Sequence, residues 1–213
     1  MELHLIRHGQ TNWNEERRAQ GQSESVLTDL GMQQAKELGT RLRHVPFDAL
    51  FCSSSLRTRQ TAAYAFPSWK KPITFLDSLR EIRMGDWEGK LYDELKSEFP
   101  ESYQHFWHEP QKFNVLGGET FFQLQNRALE AIRDIYRHHP GQLVALISHG
   151  ALIKTVLAHI EGQHMAELWA PPKMLNCAHS IICVHAENDF QILQYADQPY
   201  DSLTSSRQNL PES

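Results

Sequence analysis

The chain has 213 residues, a formal net charge of -5, 40% hydrophobic residues and 22% charged residues. These values are typical of a globular protein with a substantial core, and they argue against a disordered or fibrous chain. The lack of a basic excess disfavours nucleic acid as a partner, although a small positive pocket is compatible with this net charge.

The sequence offers no segment that we expect to enter a membrane or direct secretion. The longest uninterrupted apolar run, Leu143 to Ile147, is far too short to cross a bilayer. The first residues lack the basic and apolar regions of a signal peptide. Cys52, Cys177 and Cys183 are scattered, so neither a disulfide framework nor a zinc site is expected. We therefore expect a cytoplasmic protein.

Apolar and amphipathic runs alternate in the first third of the chain. In chain order they predict a strand over Glu2 to Arg7, a helix from Thr28 to about Arg43, a strand over Ala49 to Cys52, a helix over Leu56 to Ala65 and a strand over Ile73 to Leu76. Thr28 is a suitable N-cap for the first helix. The apolar residues around that helix recur at helical spacing and are expected to face the core: Leu27, Leu30, Ala35, Leu38 and Leu42.

The segment at about 86–118 differs from the rest of the chain. It holds short helical pieces, two prolines and many aromatic residues, and it is predicted to be a helical cap inserted into the fold. The longest helix follows, from Thr120 to about His138. After it come a strand over Leu143 to Ile147, a helix to about Ile160, and a hairpin formed by Ser180 to His185 and Phe190 to Tyr195. The chain from Pro199 onward is expected to be a polar, frayed tail.

Strands that alternate with helices favour an α/β fold. The expected architecture is a three-layer sandwich, with a mostly parallel central sheet, helices on both faces and the small helical cap. We expect residues 1–200 to form a single domain and residues 201–213 to form the tail. Ligands of such sheets bind at the carboxyl ends of the strands.

Charged and nucleophilic side chains follow three of the predicted strands. Arg7 and His8 end the first, Arg57 lies one helical turn beyond the second, and His149 follows the strand over 143–147. If these strands are parallel neighbours, the four side chains meet in one crevice. Each residue alone is weak, since a histidine before a glycine is often only part of a turn. The repetition of the strand-end position is what favours a common site.

This combination suits the transfer of a phosphoryl group. Guanidinium groups match phosphate oxygens in charge and geometry, and the amides of the helix after His149 are expected to add donors. A neutral imidazole can attack phosphorus, and nearby arginines disfavour its protonation. Glu81, which follows the third strand, is the candidate proton donor for the leaving oxygen, although alone it is one of 26 acidic residues.

At these positions the chain resembles the histidine phosphatase superfamily, which has the phosphoglycerate-mutase-like fold. The resemblance extends to about Tyr200. Its motifs are Leu5-Ile6-Arg7-His8-Gly9-Gln10-Thr11-Asn12-Trp13-Asn14, Leu27-Thr28-Asp29-Leu30-Gly31 with Gln34-Ala35, Ser53-Ser54-Ser55-Leu56-Arg57-Thr58-Arg59-Gln60-Thr61-Ala62, Leu79-Arg80-Glu81-Ile82, Gly85-Asp86-Trp87-Glu88-Gly89, Gly117-Gly118-Glu119-Thr120 and Ser148-His149-Gly150.

The resemblance implies a role for each matching residue. His8 is implied as the phosphorylated nucleophile, Arg7 and Arg57 as phosphate ligands, His149 as the second histidine and Glu81 as the proton donor. The same resemblance implies a metal-independent phosphomonoesterase that needs no cofactor and acts on small phosphate esters. It adds four further candidates for phosphate or substrate binding: Asn14, Gln20, Gly21 and Gly150.

Several family branches remain possible. The motif Gly85 to Gly89 is similar to the phosphatases, where mutases usually carry an Arg-His-Tyr-Gly pattern. His105-Phe106-Trp107 and Leu168 to Pro172 are similar to bacterial broad-specificity phosphatases, and α-ribazole phosphatases share much of this framework. A mutase stays open, as does a non-enzymatic protein that binds a phosphorylated ligand. The complete set of implied catalytic residues disfavours the non-enzymatic protein.

The cap aromatics are candidate specificity residues, although large aromatic side chains are more often part of the core. An apolar cavity mouth is predicted from Phe106, Trp107, Phe113, Phe121 and Trp169, and we single out Phe106, Trp107 and Trp169. Two histidine pairs, His105 with His108 and His138 with His139, lack further ligands at zinc-site spacing, so no metal is expected. We expect no membrane partner, and a monomer and a homodimer both remain possible.

Overall fold

The computed structural model describes residues 1–203, which form an α/β sandwich around one sheet. The sheet order is β3-β2-β4-β1-β5-β6-β7. The first four strands of this order run parallel, and β5, β6 and β7 are antiparallel to their neighbours. The strand bounds are β1 Glu2–Arg7, β2 Ala49–Ser53, β3 Ile73–Leu76, β4 Leu143–Ser148, β5 His179–Ala186, β6 Asp189–Tyr195 and β7 Gln198–Pro199.

Helices cover both faces of the sheet, as the strand–helix alternation predicts. The helix bounds are α1 Asn12–Glu15, α2 Asp29–Leu42, α3 Leu56–Ala65, α4 Tyr92–Glu98, α5 Pro100–His108, α6 Phe121–His138 and α7 Gly150–Ile160. Helices α2 and α3 pack with one buried cluster, and α6 and α7 pack with the other. In residues 1–203, no helix is both long and apolar enough to cross a membrane.

The central strands are apolar because both of their faces are buried. On β1, Leu3 and Leu5 belong to the α6–α7 cluster, whereas Ile6 belongs to the α2–α3 cluster. On β4, the side chains alternate between the two clusters in the same way. Consecutive strand residues point to opposite faces, so one short strand contributes to both halves of the core.

Helix α2 begins where the sequence predicts, because the Thr28 side chain accepts a hydrogen bond from the Gly31 amide at 3.0 Å. Its buried face is formed by Gly31, Ala35, Leu38 and Leu42. The expectation that Leu30 faces the core is wrong, since its side chain is 48% exposed. One residue along a helix is a rotation of about 100°, which turns Leu30 away from the sheet.

The segment predicted as the cap contains α4, α5 and two 3-10 turns, Gly85–Trp87 and Pro110–Lys112. Trp87 is fully buried at its centre. Four aromatic rings surround that indole, with ring centroids 5.2–6.5 Å away: Phe99, Tyr103, Phe106 and Phe113. The two ends of the segment lie side by side, because Met84 and Gly118 pair in an antiparallel bridge.

The hairpin of β5 and β6 forms as predicted, with Glu187 and Asn188 at its turn. The expectation of a frayed tail from Pro199 is wrong for its first residues. Gln198 and Pro199 pair with β6 as β7, and Tyr200 and Leu203 pack against the core. The apolar side chains of Tyr200 and Leu203 thus hold residues that their polar composition predicts to be frayed. The rest of the predicted tail, 204–213, lies outside the described residues.

Two buried histidines form a polar chain between β1 and β5. His4 Nε2 donates to Glu2 Oε1 at 2.9 Å, so His4 Nδ1 is the acceptor for His179 Nε2, also at 2.9 Å. Gln194 then donates to His179 Nδ1 at 3.2 Å. Each hydrogen bond fixes the tautomer of the next ring when both rings are neutral. Burial lowers the pKa of both, that of His179 to about 3.

The hydrogen-bonded pair of buried histidines predicts that the folded protein loses stability in mild acid. The unfolded state protonates His179 near its usual pKa of 6.5, while the folded state resists protonation down to about 3. Stability is therefore fully present above about pH 6.5 and falls as the pH decreases toward 3. The unfolding free energy of wild type should fall when the pH is lowered from 7.5 to 5. In His179→Gln we expect this fall to be about 2 kcal/mol smaller. Urea unfolding at both pH values measures this.

The control is His108→Gln, which removes an exposed histidine. It should lose as much stability as wild type over the same pH range. An identical loss in His179→Gln would show that the buried pair does not couple folding to protons.

Candidate active site

The carboxyl ends of the adjacent strands β2, β4 and β1 meet at one edge of the sheet. Arg7 lies beside Ser148 in the parallel register, which places His8 next to the start of α7. A cavity of about 600 Å³ opens at this edge. Eight residues predicted for catalysis or phosphate binding line it: Arg7, His8, Asn14, Gln20, Gly21, Arg57, Glu81 and Gly150. The ninth, His149, lies fully buried behind His8, with ring centroids 5.4 Å apart.

Within residues 1–203, the His8 ring is held by a hydrogen bond at Nδ1 and has none at Nε2. Its Nδ1 lies 2.7 Å from the Gly9 carbonyl oxygen, which can only accept, so Nδ1 carries the proton. The lone pair of the neutral ring is therefore on Nε2. Burial lowers the pKa of His8 well below its usual value, and the charges of Arg57 and Arg7 lower it further. Sequence reasoning identified the charges but not burial, which is the larger cause.

The glycine after His8 is explained by a close approach of two backbones. A Cβ at Gly9 would lie 2.5 Å from the Gly31 carbonyl oxygen, and a Cβ at Gly31 would lie 2.0 Å from the Gln10 carbonyl oxygen. Helix α2 can therefore reach the His8 loop only because both positions lack a side chain. This contact connects two of the sequence motifs.

Arg57 is a buried cation that holds a loop. Its Nη2 donates to the Gly21 carbonyl at 2.7 Å and its Nη1 to the Ser23 carbonyl at 2.9 Å. Its Nε is buried and has no hydrogen-bond partner within residues 1–203. Burial lowers the pKa of Arg57 to about 10, with Glu81 opposing, so the group stays charged at neutral pH.

Arg7 repeats this arrangement on the other side of His8. Its Nη1 donates to the Met174 carbonyl, and its Nε is also buried without a partner in the described chain. Burial lowers the pKa of Arg7, and the Glu81 carboxylate opposes the shift. Both guanidinium groups thus hold a loop through their terminal nitrogens and keep an Nε donor that no atom of residues 1–203 uses.

His149 is anchored by Ser53. The Ser53 hydroxyl lies 2.8 Å from His149 Nε2, while Nδ1 is buried and makes no hydrogen bond within residues 1–203. Burial lowers the pKa of His149 well below its usual value, and Arg57 contributes next. Sequence reasoning did not assign a role to Ser53, although the serine run that begins at the end of β2 was a signal for one.

Glu81 is bound to the first turn of α7. Its Oε2 accepts from the Ala151 amide at 3.0 Å, and its Oε1 accepts from Leu152 at 3.1 Å and from Ile82 at 2.9 Å. The expectation that these helix amides serve a phosphate is therefore wrong for Ala151 and Leu152, because a carboxylate already occupies them. Helix N-termini attract any anion, and Glu81 is the one within reach.

Asn14 and Gln20 are fixed through their amide oxygens. Gln20 Oε1 lies 2.7 Å from the Ser25 hydroxyl and 3.0 Å from that of Thr11. Asn14 Oδ1 accepts from the Thr11 amide at 3.1 Å and from Asn176 at 3.3 Å. In both residues the side-chain nitrogen has no hydrogen bond in the described chain. Each therefore retains donors in the cavity wall.

Glu88 holds the loop 21–23 from the side opposite Arg57. Its Oε1 accepts from the Gln22 amide at 2.9 Å and from the Met84 amide at 3.0 Å, and its Oε2 accepts from the Ser23 hydroxyl at 2.6 Å. Gly21 has a φ of +50°, and a Cβ there would lie 2.3 Å from Glu88 Oε1. The glycine and the carboxylate therefore define this loop together.

Comparison with known proteins agrees with this geometry. The profile of the histidine phosphatase superfamily (branch 1) matches residues 3–198, which is almost the whole described chain. The chain belongs to the histidine phosphatase superfamily. The "Probable phosphoglycerate mutase GpmB" of Salmonella paratyphi A is 34% identical over 184 residues, which are 85% of this chain and 84% of that protein.

Solved structures superpose closely on this one. Bacillus stearothermophilus YhfR is 39% identical with a TM-score of 0.89, and the match covers 92% of this chain and 96% of that one. The α-ribazole phosphatase from Shigella flexneri is 26% identical with a TM-score of 0.82, covering 92% and 96%. The predicted family and fold class are confirmed.

Aromatic side chains form the outer wall of this histidine phosphatase site. Phe106, Trp107 and Trp169 line the cavity as predicted. Phe113 and Phe121 do not, since they are almost fully buried and belong to the core behind Phe106. The expectation that these two line the mouth is wrong. They pack edge-on or tilted against Phe106, one layer deeper than the cavity wall, and sequence spacing cannot separate the two layers.

Other cavity residues were missed by sequence reasoning. Tyr92 and Tyr103 lie in the wall, together with three basic residues at the mouth, Arg17, Arg18 and Lys173. Burial raises the pKa of Tyr92, and the Glu81 carboxylate raises it further. No sequence motif marks these positions. In the described chain, no three His, Cys, Asp or Glu side chains are grouped to hold a metal ion.

Two glycines allow a matched test of the loop 21–23. Gly21 and Gly141 both have positive φ, but a Cβ at Gly141 would meet nothing within 4 Å. We expect Gly141→Ala to lower the unfolding free energy by about 1 kcal/mol. Gly21→Ala should cost clearly more, because Glu88 must also move. Denaturant unfolding of both variants measures the difference, and equal losses would show that Glu88 does not restrict position 21.

Proposed function

We propose that this protein is a metal-independent phosphomonoester phosphatase that transfers the phosphoryl group to His8 and then to water. One observation carries the proposal: the free Nε2 of His8 shares its site with three buried nitrogens that have no hydrogen-bond partner within residues 1–203. These are Nε of Arg7, Nε of Arg57 and Nδ1 of His149. Unused buried donors of this kind are rare and costly, and a phosphoryl group would satisfy them.

In the first step, the lone pair on His8 Nε2 forms a bond to phosphorus while the bond to the ester oxygen breaks. Arg7 and Arg57 neutralise the phosphoryl oxygens and supply the charge stabilisation that a metal ion gives in other phosphatases. We assign His149 the tautomer that accepts from Ser53 at Nε2, so that Nδ1–H donates to a phosphoryl oxygen. Asn14, Gln20, Gly21 and Gly150 complete the cradle through side-chain donors or close backbone approach.

Glu81 is the proposed proton donor and acceptor. Its Oε2 accepts only one amide, which leaves a lone pair for a proton. In the first step the protonated carboxyl gives that proton to the leaving alkoxide. In the second, the carboxylate takes a proton from water as the water oxygen attacks phosphorus and the bond between nitrogen and phosphorus breaks. Inorganic phosphate is released, and the neutral imidazole and the protonated carboxyl are regenerated.

The proposed substrates are small phosphate esters of broad range. The cavity of about 600 Å³ is much larger than a phosphoryl group, and Phe106, Trp107 and Trp169 give it an apolar wall. The α-ribazole phosphatase from Shigella flexneri suggests a narrower phosphatase as a second candidate. The 34% identical protein named as a probable phosphoglycerate mutase keeps a phosphotransferase open as well.

We also propose that residues 1–200 act as one catalytic domain and that the segment around 86–118 is its specificity cap. The bridge between Met84 and Gly118 supports this division, because it brings the two ends of the segment side by side. A cytoplasmic setting is supported by the free thiols of Cys52, Cys177 and Cys183. We propose a monomer or a homodimer.

Phosphate release from p-nitrophenyl phosphate in EDTA tests the proposal. Wild type should turn the ester over, and His8→Ala should lose activity by at least about 10⁴-fold, because the nucleophile is gone. The control, His108→Ala, removes an exposed histidine and should match wild type. Denaturation in alkali, where phosphohistidine is stable, should trap it in wild type and in His108→Ala but not in His8→Ala.

Two results would contradict the proposal. Inhibition by EDTA would overturn the metal-independent mechanism, and full activity in His8→Ala would overturn the nucleophile. Isomerisation of a phosphorylated substrate without phosphate release would favour the phosphotransferase.

The role of Glu81 has a separate test based on the leaving group. Alkoxides need a proton on leaving, whereas p-nitrophenolate does not, so Glu81→Ala should hurt alkyl phosphates about 100-fold more than p-nitrophenyl phosphate. Values of kcat/KM for both esters give the comparison. Glu101→Ala, at an exposed position in α5, is the control. A similar loss on both esters would remove the acid assignment.

A further inference from the structure

The cavity carries more positive charge than transfer of one phosphoryl group requires. Six arginine and lysine residues line it, against the single carboxylate of Glu81. Arg7 and Arg57 lie at its base beside His8, which leaves four cations nearer the mouth. The chain as a whole has a net charge of -5. Positive charge is therefore concentrated here against the global balance, and such grouping raises the local concentration of anions.

Two of these four cations are used by the fold. Lys154 is buried and donates to the Ala170 carbonyl at 2.6 Å. Arg18 donates to the Gly89 carbonyl at 2.8 Å and forms an ion pair with Glu16. Both side chains hold backbone segments of the cavity wall in place, so their charges are partly compensated by protein groups.

Arg17 and Lys173 differ from this pair. Both are exposed at the mouth, and within residues 1–203 neither side chain makes a hydrogen bond or an ion pair. Their charges are therefore not compensated by the described protein. They come from segments 156 residues apart in sequence, and the fold brings both to one cavity.

The backbone fixes both positions. Arg17 has a φ of 59°, in the left-handed region that non-glycine residues rarely adopt. The Tyr92 amide donates to its carbonyl at 2.9 Å and holds it there. Lys173 lies between Pro172 and Met174, whose carbonyls accept from Lys154 and Arg7. The Arg17 and Arg18 amides also donate to the Asn14 and Trp13 carbonyls, at 3.2 and 2.8 Å, so the end of α1 and the contact with Tyr92 together set the backbone at Arg17.

We propose that Arg17 and Lys173 form a second anion subsite that binds a carboxylate or phosphate group on the leaving-group side of the ester. This inference rests on the proposed phosphatase function and specifies its substrate class: phosphate esters that carry a further negative charge. The aromatic wall between the two sites takes the carbon skeleton that joins them. Partial exclusion of water by that wall strengthens the attraction at the mouth.

Two aryl phosphates of similar shape test the subsite. One is 4-carboxyphenyl phosphate, and the other is its uncharged methyl ester. Values of kcat/KM are measured for wild type, Arg17→Gln, Lys173→Gln and the double variant. We expect the double variant to lose about tenfold more on the carboxylate than on the methyl ester, mainly through KM, with intermediate single variants. The difference should shrink at high salt, because both cations are exposed.

A matched control removes one positive charge elsewhere. Lys70 is exposed and outside the cavity, so Lys70→Gln should show the wild-type ratio between the two esters. A ratio in the double variant equal to that of wild type overturns the subsite. So does an equal change in Lys70→Gln, which would indicate only a global charge effect. 4-(Phosphonomethyl)phenyl phosphate, used in the same way, separates a preference for phosphate-like groups from one for carboxylates.

Failure of the proposed function is distinguishable from failure of the subsite. If wild type hydrolyses neither ester, the phosphatase proposal fails, and calorimetric affinities for the same two compounds then report on the subsite. A selective loss of affinity for the carboxylate in the double variant supports it, and unchanged selectivity overturns it. Thermal unfolding midpoints close to that of wild type establish that the variants are folded.

Discussion

Two arginine side chains buried at one edge of the sheet are the constraint on which this site depends. A buried cation is strongly destabilising unless protein atoms replace water around it. Arg57 meets this need with the carbonyls of Gly21 and Ser23, and Arg7 with that of Met174. The loops are therefore ordered around the charges, and each guanidinium keeps Nε free. Burial of His8 and the charges of both arginines lower the pKa of His8 well below its usual value, so the group of side chains that we propose to bind a phosphoryl group also holds a neutral imidazole.

A second network positions Glu81. Arg127 pairs with Glu119 through two hydrogen bonds, at 3.0 and 2.9 Å, and also donates to the Ser78 and Arg80 carbonyls. The Ser148 hydroxyl donates to the Leu79 carbonyl at 2.8 Å, which ties the same loop to the end of β4. The loop carrying Glu81 is thus held from α6, from the sheet and from α7. Glu119 of the Gly117-Gly118-Glu119-Thr120 motif therefore helps to position the Glu81 loop, although the two are far apart in sequence.

Much of the fold and the centre of the site follow from sequence because they depend on local patterns. A mostly apolar run identified β1 and a fully apolar run identified β4. Neighbouring parallel strands bring their carboxyl ends to one edge, so Arg7, His8, Arg57 and His149 could be grouped. What failed depends on side-chain direction or on distant packing. Leu30 is turned outward by a single helical step, and Phe113 lies one layer beneath Phe106. The amides at the start of α7 can bind either a substrate phosphate or a nearby carboxylate, and only the tertiary structure shows that Glu81 reaches them. Arg17 and Lys173 carry no motif, because their common cavity exists only in the folded chain.

The bridge between Met84 and Gly118 has a consequence for how such an enzyme can diversify. The two ends of the intervening segment lie side by side, and the residues that hold the chemistry lie on the sheet side of that junction, apart from Glu88. Insertions, deletions or replacements between the two ends can therefore change the aromatic wall without moving His8, His149 or either arginine. A replacement segment must keep the groups that hold the loop 17–23 in place: the Glu88 carboxylate, the Gly89 carbonyl that accepts from Arg18, and the Tyr92 amide that donates to Arg17. The part of the aromatic wall that this segment supplies is therefore separable from the residues at the base of the cavity, and a segment exchanged at this junction is a suitable unit for redesign.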